Sequence, residues 1–179
     1  MKRFRVKIQG SSPYLMHKFS GKDEKVGGTP GVQDWKEEVS RALYKNGEGK
    51  LFVPSSQIHG CLIEAGKQMR VVGKGKSTYS KLFGAFCLVE PMEVIISPQK
   101  FDTDERSVVI QKSRVIRYRP KWEKWSLEFD VVSHEEGISG EAIKQGLEQG
   151  GKYSGIGDYR PQKKGPFGRF EVIHFEEVK

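Results

Sequence analysis

The stretch RFRVKIQ, residues 3–9, alternates strictly: Phe4, Val6 and Ile8 fall on one side, Arg3, Arg5, Lys7 and Gln9 on the other. Period two over seven residues is the pattern of a half-buried strand. SLEFDVV, 126–132, repeats it, with Leu127, Phe129 and Val131 against Ser126, Glu128 and Asp130. Strands with one wet face argue against a parallel sheet covered on both sides. Working outward, Gly10, Ser11, Ser12 and Pro13 end the first strand. A glycine-rich stretch from Gly21 to Gly31 reads as a mobile loop. Asp34 opens a helix, with Glu37 placed for a capping box, Trp35, Val39 and Leu43 on one face, and Asn46-Gly47 as its stop. LFV at 51–53 is a short strand. Pro54-Ser55 start a second helix with Ile58, Leu62, Ala65 and Met69 at helical spacing. VGKGKSTYSK, 72–81, reads as a linker. Residues 86–96 and 107–119 read as strands of a long hairpin joined by the polar turn PQKFDTDER. Ser139 caps a third helix carrying Ile143 and Leu147, closed by Gly150-Gly151, and a last strand covers 169–175. This order predicts an α+β fold: a ferredoxin-like (RRM-type) antiparallel sheet, helices on one face, and an inserted β-hairpin.

The 179 residues suit one domain, and 36% apolar with 11% aromatic content is enough for one core. Ten Phe, six Tyr and three Trp exclude global disorder. The apolar runs are shorter than the ~20 residues a membrane helix needs, so no membrane partner is expected. MKRFRVKIQG lacks the apolar core of a secretory signal, and Cys61 and Cys87 make no disulfide framework. A cytoplasmic protein is expected. The formal charge is +8, and it is segregated. Residues 65–89, 112–124 and 152–169 hold 16 basic and 2 acidic groups, while the remainder is net acidic. A segregated basic field suits a polyanion; the alternative is a solvated surface spread over several faces.

Two constellations lie in these basic stretches. GIGDYRPQKKGPFGRF, 155–170, mixes Gly155, Gly157, Gly165 and Gly168 with Arg160, Lys163, Lys164, Arg169 and Phe167. Glycines let a backbone come close to a phosphate, and the cations supply charge. The spacing matches neither the phosphate loop of NTPases nor a dinucleotide fingerprint, and the stretch runs into a strand instead of a helix. A purely structural turn is the other reading. QKSRVIRYRPKWEKW, 111–125, interleaves Lys112, Arg114, Arg117, Arg119 and Lys121 with Tyr118, Trp122 and Trp125. Cations tracking phosphates beside rings that stack bases is how single strands are held. Trp125, directly before an alternating strand, is the expected core member. Catalytic signals are thin. The four histidines are scattered, and His59 and Cys61 point to different sides of a helix, so no metal and no cofactor is expected. His17 and Lys18 are candidate nucleic-acid contacts; the other readings of His17 are a structural histidine and a general base that cleaves RNA through the RNA's own 2′-hydroxyl.

The strand exit SSPYLMHKF, 11–19, together with GIGDYRPQKKGPFGRFEV, 155–172, resembles the RAMP superfamily. Its members are the repeat-associated RNA-binding proteins of CRISPR effector complexes, with relatives in phages and prophages. The resemblance implies a ferredoxin-like core over residues 1–179, with Gly155, Gly157, Gly165 and Gly168 in an RNA-contacting loop and Arg160, Lys163, Lys164 and Arg169 on phosphates. By position, it implies that a hairpin at 92–119 is a short thumb separating RNA segments as copies line up along a guide. The expected protein is a non-catalytic single-stranded RNA-binding subunit of such a complex. Its expected partners are RNA, further copies of itself and other effector subunits. The alternatives are a metal-independent endoribonuclease using His17, a phage single-stranded DNA-binding protein, and a basic scaffold.

Overall fold

The computed structural model describes residues 1–19, 35–110, 113–135 and 137–178, with backbone alone at 110 and 113. The expected loop at 21–31, the Asp34 cap and Lys112 lie outside the described residues. In chain order the elements are β1 (Lys2–Gly10), β2 (Tyr14–Leu15), α1 (Trp35–Arg41), β3 (Phe52–Pro54), α2 (Ser55–Gly66), α3 (Tyr79–Phe86), β4 (Cys87–Glu90), β5 (Glu93–Ser97), β6 (Asp102–Ile110), β7 (Ser113–Trp122), β8 (Ser126–Ser133), α4 (Gly140–Tyr153) and β9 (Phe170–Val178).

The two alternating stretches are direct neighbours. β1 and β8 pair antiparallel with Phe4 opposite Val131, Val6 opposite Phe129 and Ile8 opposite Leu127. All six side chains are buried, each worth about 1.5–3 kcal/mol relative to exposure. β9 pairs antiparallel with the other edge of β1, while β4 and β5 pair in succession with β8. The order β3-β5-β8-β1-β9 and the helices between these strands make the sheet ferredoxin-like. α2 packs on both α3 and α4, and Gly146 of α4 lies against Leu62 and Phe83. The opposite face is solvated and ionic: Arg3 pairs with Glu90 and Asp130, and Arg5 with Asp130.

Four local expectations are corrected. The first helix ends at Arg41, not at Asn46-Gly47; the Asn46 side chain instead accepts from the Glu48 and Lys50 N–H groups in a turn bridging Lys45 to Leu51. The stretch taken as a linker runs into α3, whose Phe83 is fully buried. Gly150-Gly151 do not close α4 but lie inside it. A Cβ on Gly151 would stand 2.2 Å from the Phe170 carbonyl oxygen, so glycine here permits close helix–strand contact. The hairpin is displaced. β6 and β7 pair from Asp102–Lys121 to Ile110–Ser113, so half of PQKFDTDER is strand, whereas 86–96 supplies β4 and β5 to the main sheet. One side of the ribbon is half-buried, at Arg106, Val108, Val115 and Arg117, and the other is exposed, but that half-buried side mixes charged with apolar residues, so it lacks the apolar alternation that marks a core strand. β2 joins it at β7 to complete a second, three-stranded sheet.

Candidate nucleic-acid interface

The two motifs singled out in the sequence meet in space. The Ser12 carbonyl accepts from Trp125 Nε1 at 2.8 Å, and the Ser12 hydroxyl from the Arg169 N–H at 2.9 Å. The Gly168 N–H donates to the Pro13 carbonyl at 2.8 Å, and the Asp158 N–H to the Leu15 carbonyl at 2.9 Å. The glycine-rich segment is thereby sewn onto the exit from β1. Gly168 has φ +74°, and a Cβ there would lie 1.8 Å from the Ile156 carbonyl oxygen; at Gly165 it would lie 1.7 Å from that of Tyr159. Backbone packing thus accounts for these glycines.

It does not account for all the cations. Arg160 donates to the Gly157 carbonyl at 3.0 Å and to Gln162 Oε1 at 2.9 Å, and Arg169 donates to the Lys152 carbonyl at 3.2 Å. Both arginines clamp the loop. Lys163 and Lys164 are exposed, and among the described residues no ion pair engages them. Phe167 is buried against Tyr159, and Arg106 of β6 stands 5.0 Å above the Phe167 ring, tying the ribbon to the loop.

A second cluster adjoins the first. Asp158, the one acid of the loop, holds Arg119 in an ion pair and faces His17 Nδ1 at 3.6 Å. Burial alone would raise the Asp158 carboxyl, but hydrogen bonds from His17 and Arg119 and their charges outweigh it, leaving it well below the usual range. Arg119 is 8% exposed, so this guanidinium is structural, unlike the phosphate contact expected of it. His17, Lys18, Arg117 and Tyr118 line one narrow cleft, with Arg117 bonded to Glu38 at 3.2 Å. Lys18 is exposed, Arg114 is exposed on the ribbon, and Lys121 pairs with Glu123 at 2.6 Å. Tyr118 is half-buried beside Trp35, centroids 6.3 Å apart. Trp122 and Trp125 are both buried, which removes them as stacking platforms.

Sequence reasoning missed Asp158, Arg106 and Trp35. Only Asp158 carried a signal, as a lone acid in a basic loop. The open face offers no aromatic RRM-like platform on its two central strands, whose outward positions are Arg3, Arg5, Lys7 and Gln9 opposite Val132, Asp130, Glu128 and Ser126. Among the described residues no His, Cys, Asp and Glu cluster could hold a metal. Burial pushes the Cys61 thiol up to about 12 and that of Cys87 up to about 11, so neither is a ready nucleophile.

The sheet order and one-sided helices define a ferredoxin-like α+β protein with an added β-ribbon. Solved structures share this fold: 52 of their chains match. One belongs to the cryo-EM structure of the Type III-B Cmr-beta bound to cognate target RNA, with a TM-score of 0.65 and 13% identity. The match covers 99% of this chain and 61% of that one, so the present chain spans less than two thirds of its length. At that identity the likeness is one of fold. No protein-family model matches the sequence, and no curated protein matches it.

Proposed function

We propose that this chain is a RAMP-type single-stranded RNA-binding subunit of a CRISPR-type complex that assembles in copies along a guide, without cutting it. One observation carries the reading: the glycine-rich loop, the β1 exit and the basic ribbon converge on one edge, where Lys163 and Lys164 stand free of ion pairs among the described residues. The fold shared with a chain of an RNA-bound complex supports it. Residues 1–179 act as one nucleic-acid-binding unit, the ribbon β6–β7 serves as the thumb, and Tyr118 with Trp35 offers the rings.

Single-strand binding releases counterions, so log K falls with log salt by about 0.7 per neutralised phosphate. Lys163→Gln with Lys164→Asn should flatten that slope by about 1.4 with an unchanged melting temperature. Asn suits position 164, where φ is +61°. An unchanged slope would leave the loop purely structural.

The second reading, metal-independent cleavage by His17, has one geometric support. Asp158 faces Nδ1 and would orient the ring with Nε2 free, as a general base requires. RNA incubated with the protein in EDTA should stay intact. Discrete fragments that disappear with His17→Ala would establish the nuclease instead.

A further inference from the structure

The third basic stretch, 65–89, takes no part in the interface above. Arg70, Lys74, Lys76 and Lys81 are exposed, none is in an ion pair among the described residues, and the segment contains no acid; only Lys67 is paired, with Glu64 at 2.5 Å. The cations are not on a frayed tail. Arg70 bridges to Thr78, the Val71 N–H donates to Ser77 at 2.9 Å and the Tyr79 N–H to Met69 at 2.9 Å, closing the loop over buried Met69 and Phe83. Beside it lies a cleft of about 460 Å³, with Lys74, Lys76 and Lys81 and the Ser77 and Thr78 hydroxyls around apolar Val71 and Leu82.

Lys81 sits in the first turn of α3, where the helix dipole disfavours a cation, and no acid occupies that turn. The Thr78 side chain makes no cap hydrogen bond. Four like charges gathered around one loop repel one another, an arrangement that an anion in the cleft would relieve. Position separates this patch from the first. The glycine-rich loop lies along the N-terminal half of α2 at Ser56, Gln57, Gly60 and Cys61, and the lysine loop leaves the C-terminal end of that helix. Along the helix axis the lysine loop begins about 8 Å beyond Cys61 and about 15 Å beyond Ser56.

We infer that this cleft is a second phosphodiester-binding site, taking a stretch of single-stranded nucleic acid other than the one held at the glycine-rich loop. It rests on the nucleic-acid reading above. Lysines are point charges without the planar fork that reads base edges, so the contact is to phosphates and independent of sequence.

The test is binding of a labelled oligouridylate to the full chain in EDTA, across a salt series and a ladder of lengths. Lys74→Gln, Lys76→Gln and Lys81→Gln together should flatten the salt slope by about 2 and weaken binding on the order of 100-fold at ~0.1 M salt, with the melting temperature unchanged. The effect should add to that of the Lys163→Gln, Lys164→Asn pair. If one strand fills both sites, the triple variant affects long oligomers and spares the shortest. If two strands do, wild type binds two short oligomers per chain and the triple variant one. A triple variant with wild-type affinity and slope, beside a weakened loop variant, overturns the second site alone. A wild type that binds no nucleic acid rejects both readings.

Discussion

Gly168→Ala is expected to lower the melting temperature by about 10 °C. The residue sits at φ +74°, where a side chain costs about 1–2 kcal/mol. The new Cβ would also overlap the Ile156 carbonyl oxygen at 1.8 Å. Relief requires the backbone to move, which disrupts the bonds from Ile156 N–H to Gly168 and from Gly168 N–H to Pro13, at about 1 kcal/mol or more each. A total of about 3–4 kcal/mol corresponds to roughly 10 °C for a chain of this size. Gly47→Ala is the control: nothing lies within 4 Å of its Cβ position, and thermal unfolding should barely change. Equal melting temperatures for the two variants would refute the packing assigned to the loop.

Asp158→Ala should destabilise by about 2–3 kcal/mol at neutral pH. Removing one partner of a buried ion pair costs about 3–5 kcal/mol, and the 33% exposure of the Asp158 side chain reduces this. Arg119 Nε already lacks a partner, so little remains to take up the charge. The pH dependence has a definite sign. A carboxyl held below its ordinary value of 3.8 contributes fully above that pH, and its contribution is lost as pH falls through the lower folded value. The gap between wild type and Asp158→Ala in urea unfolding should therefore be constant from pH 7 to about 5 and narrow progressively below about 4. A gap that widens on acidification would contradict the pairing.

The central sheet was legible because its strands bury one face. RFRVKIQ and SLEFDVV announce themselves by period two, and Ser139 marks its helix with a cap that accepts from the Ala142 N–H at 3.1 Å. The ribbon is misplaced in the sequence reading because its more buried side carries Asp104, Arg106, Arg117 and Arg119, so DTDERS has no apolar alternation to read. α3 was hidden by its glycine- and lysine-rich surroundings. Of the interface, charge and glycine content were visible, yet the roles of the arginines were not. Whether a guanidinium faces solvent or closes a loop depends on partners distant in sequence: Arg119 meets Asp158 39 positions away, and Arg169 is held by Lys152. His17 reads as a lone histidine in the sequence, although Asp158, 3.6 Å from its Nδ1, lies in the glycine-rich motif.

The most direct test of the central claim is native mass spectrometry of the chain mixed with single-stranded RNA of increasing length, in EDTA and at low salt. Assembly along the strand would give one chain on the shortest RNA that binds, then successive steps of 20.3 kDa as the strand lengthens. A single chain on RNA of every length would contradict assembly along the strand, and the absence of any RNA-bound mass would contradict the proposed function itself.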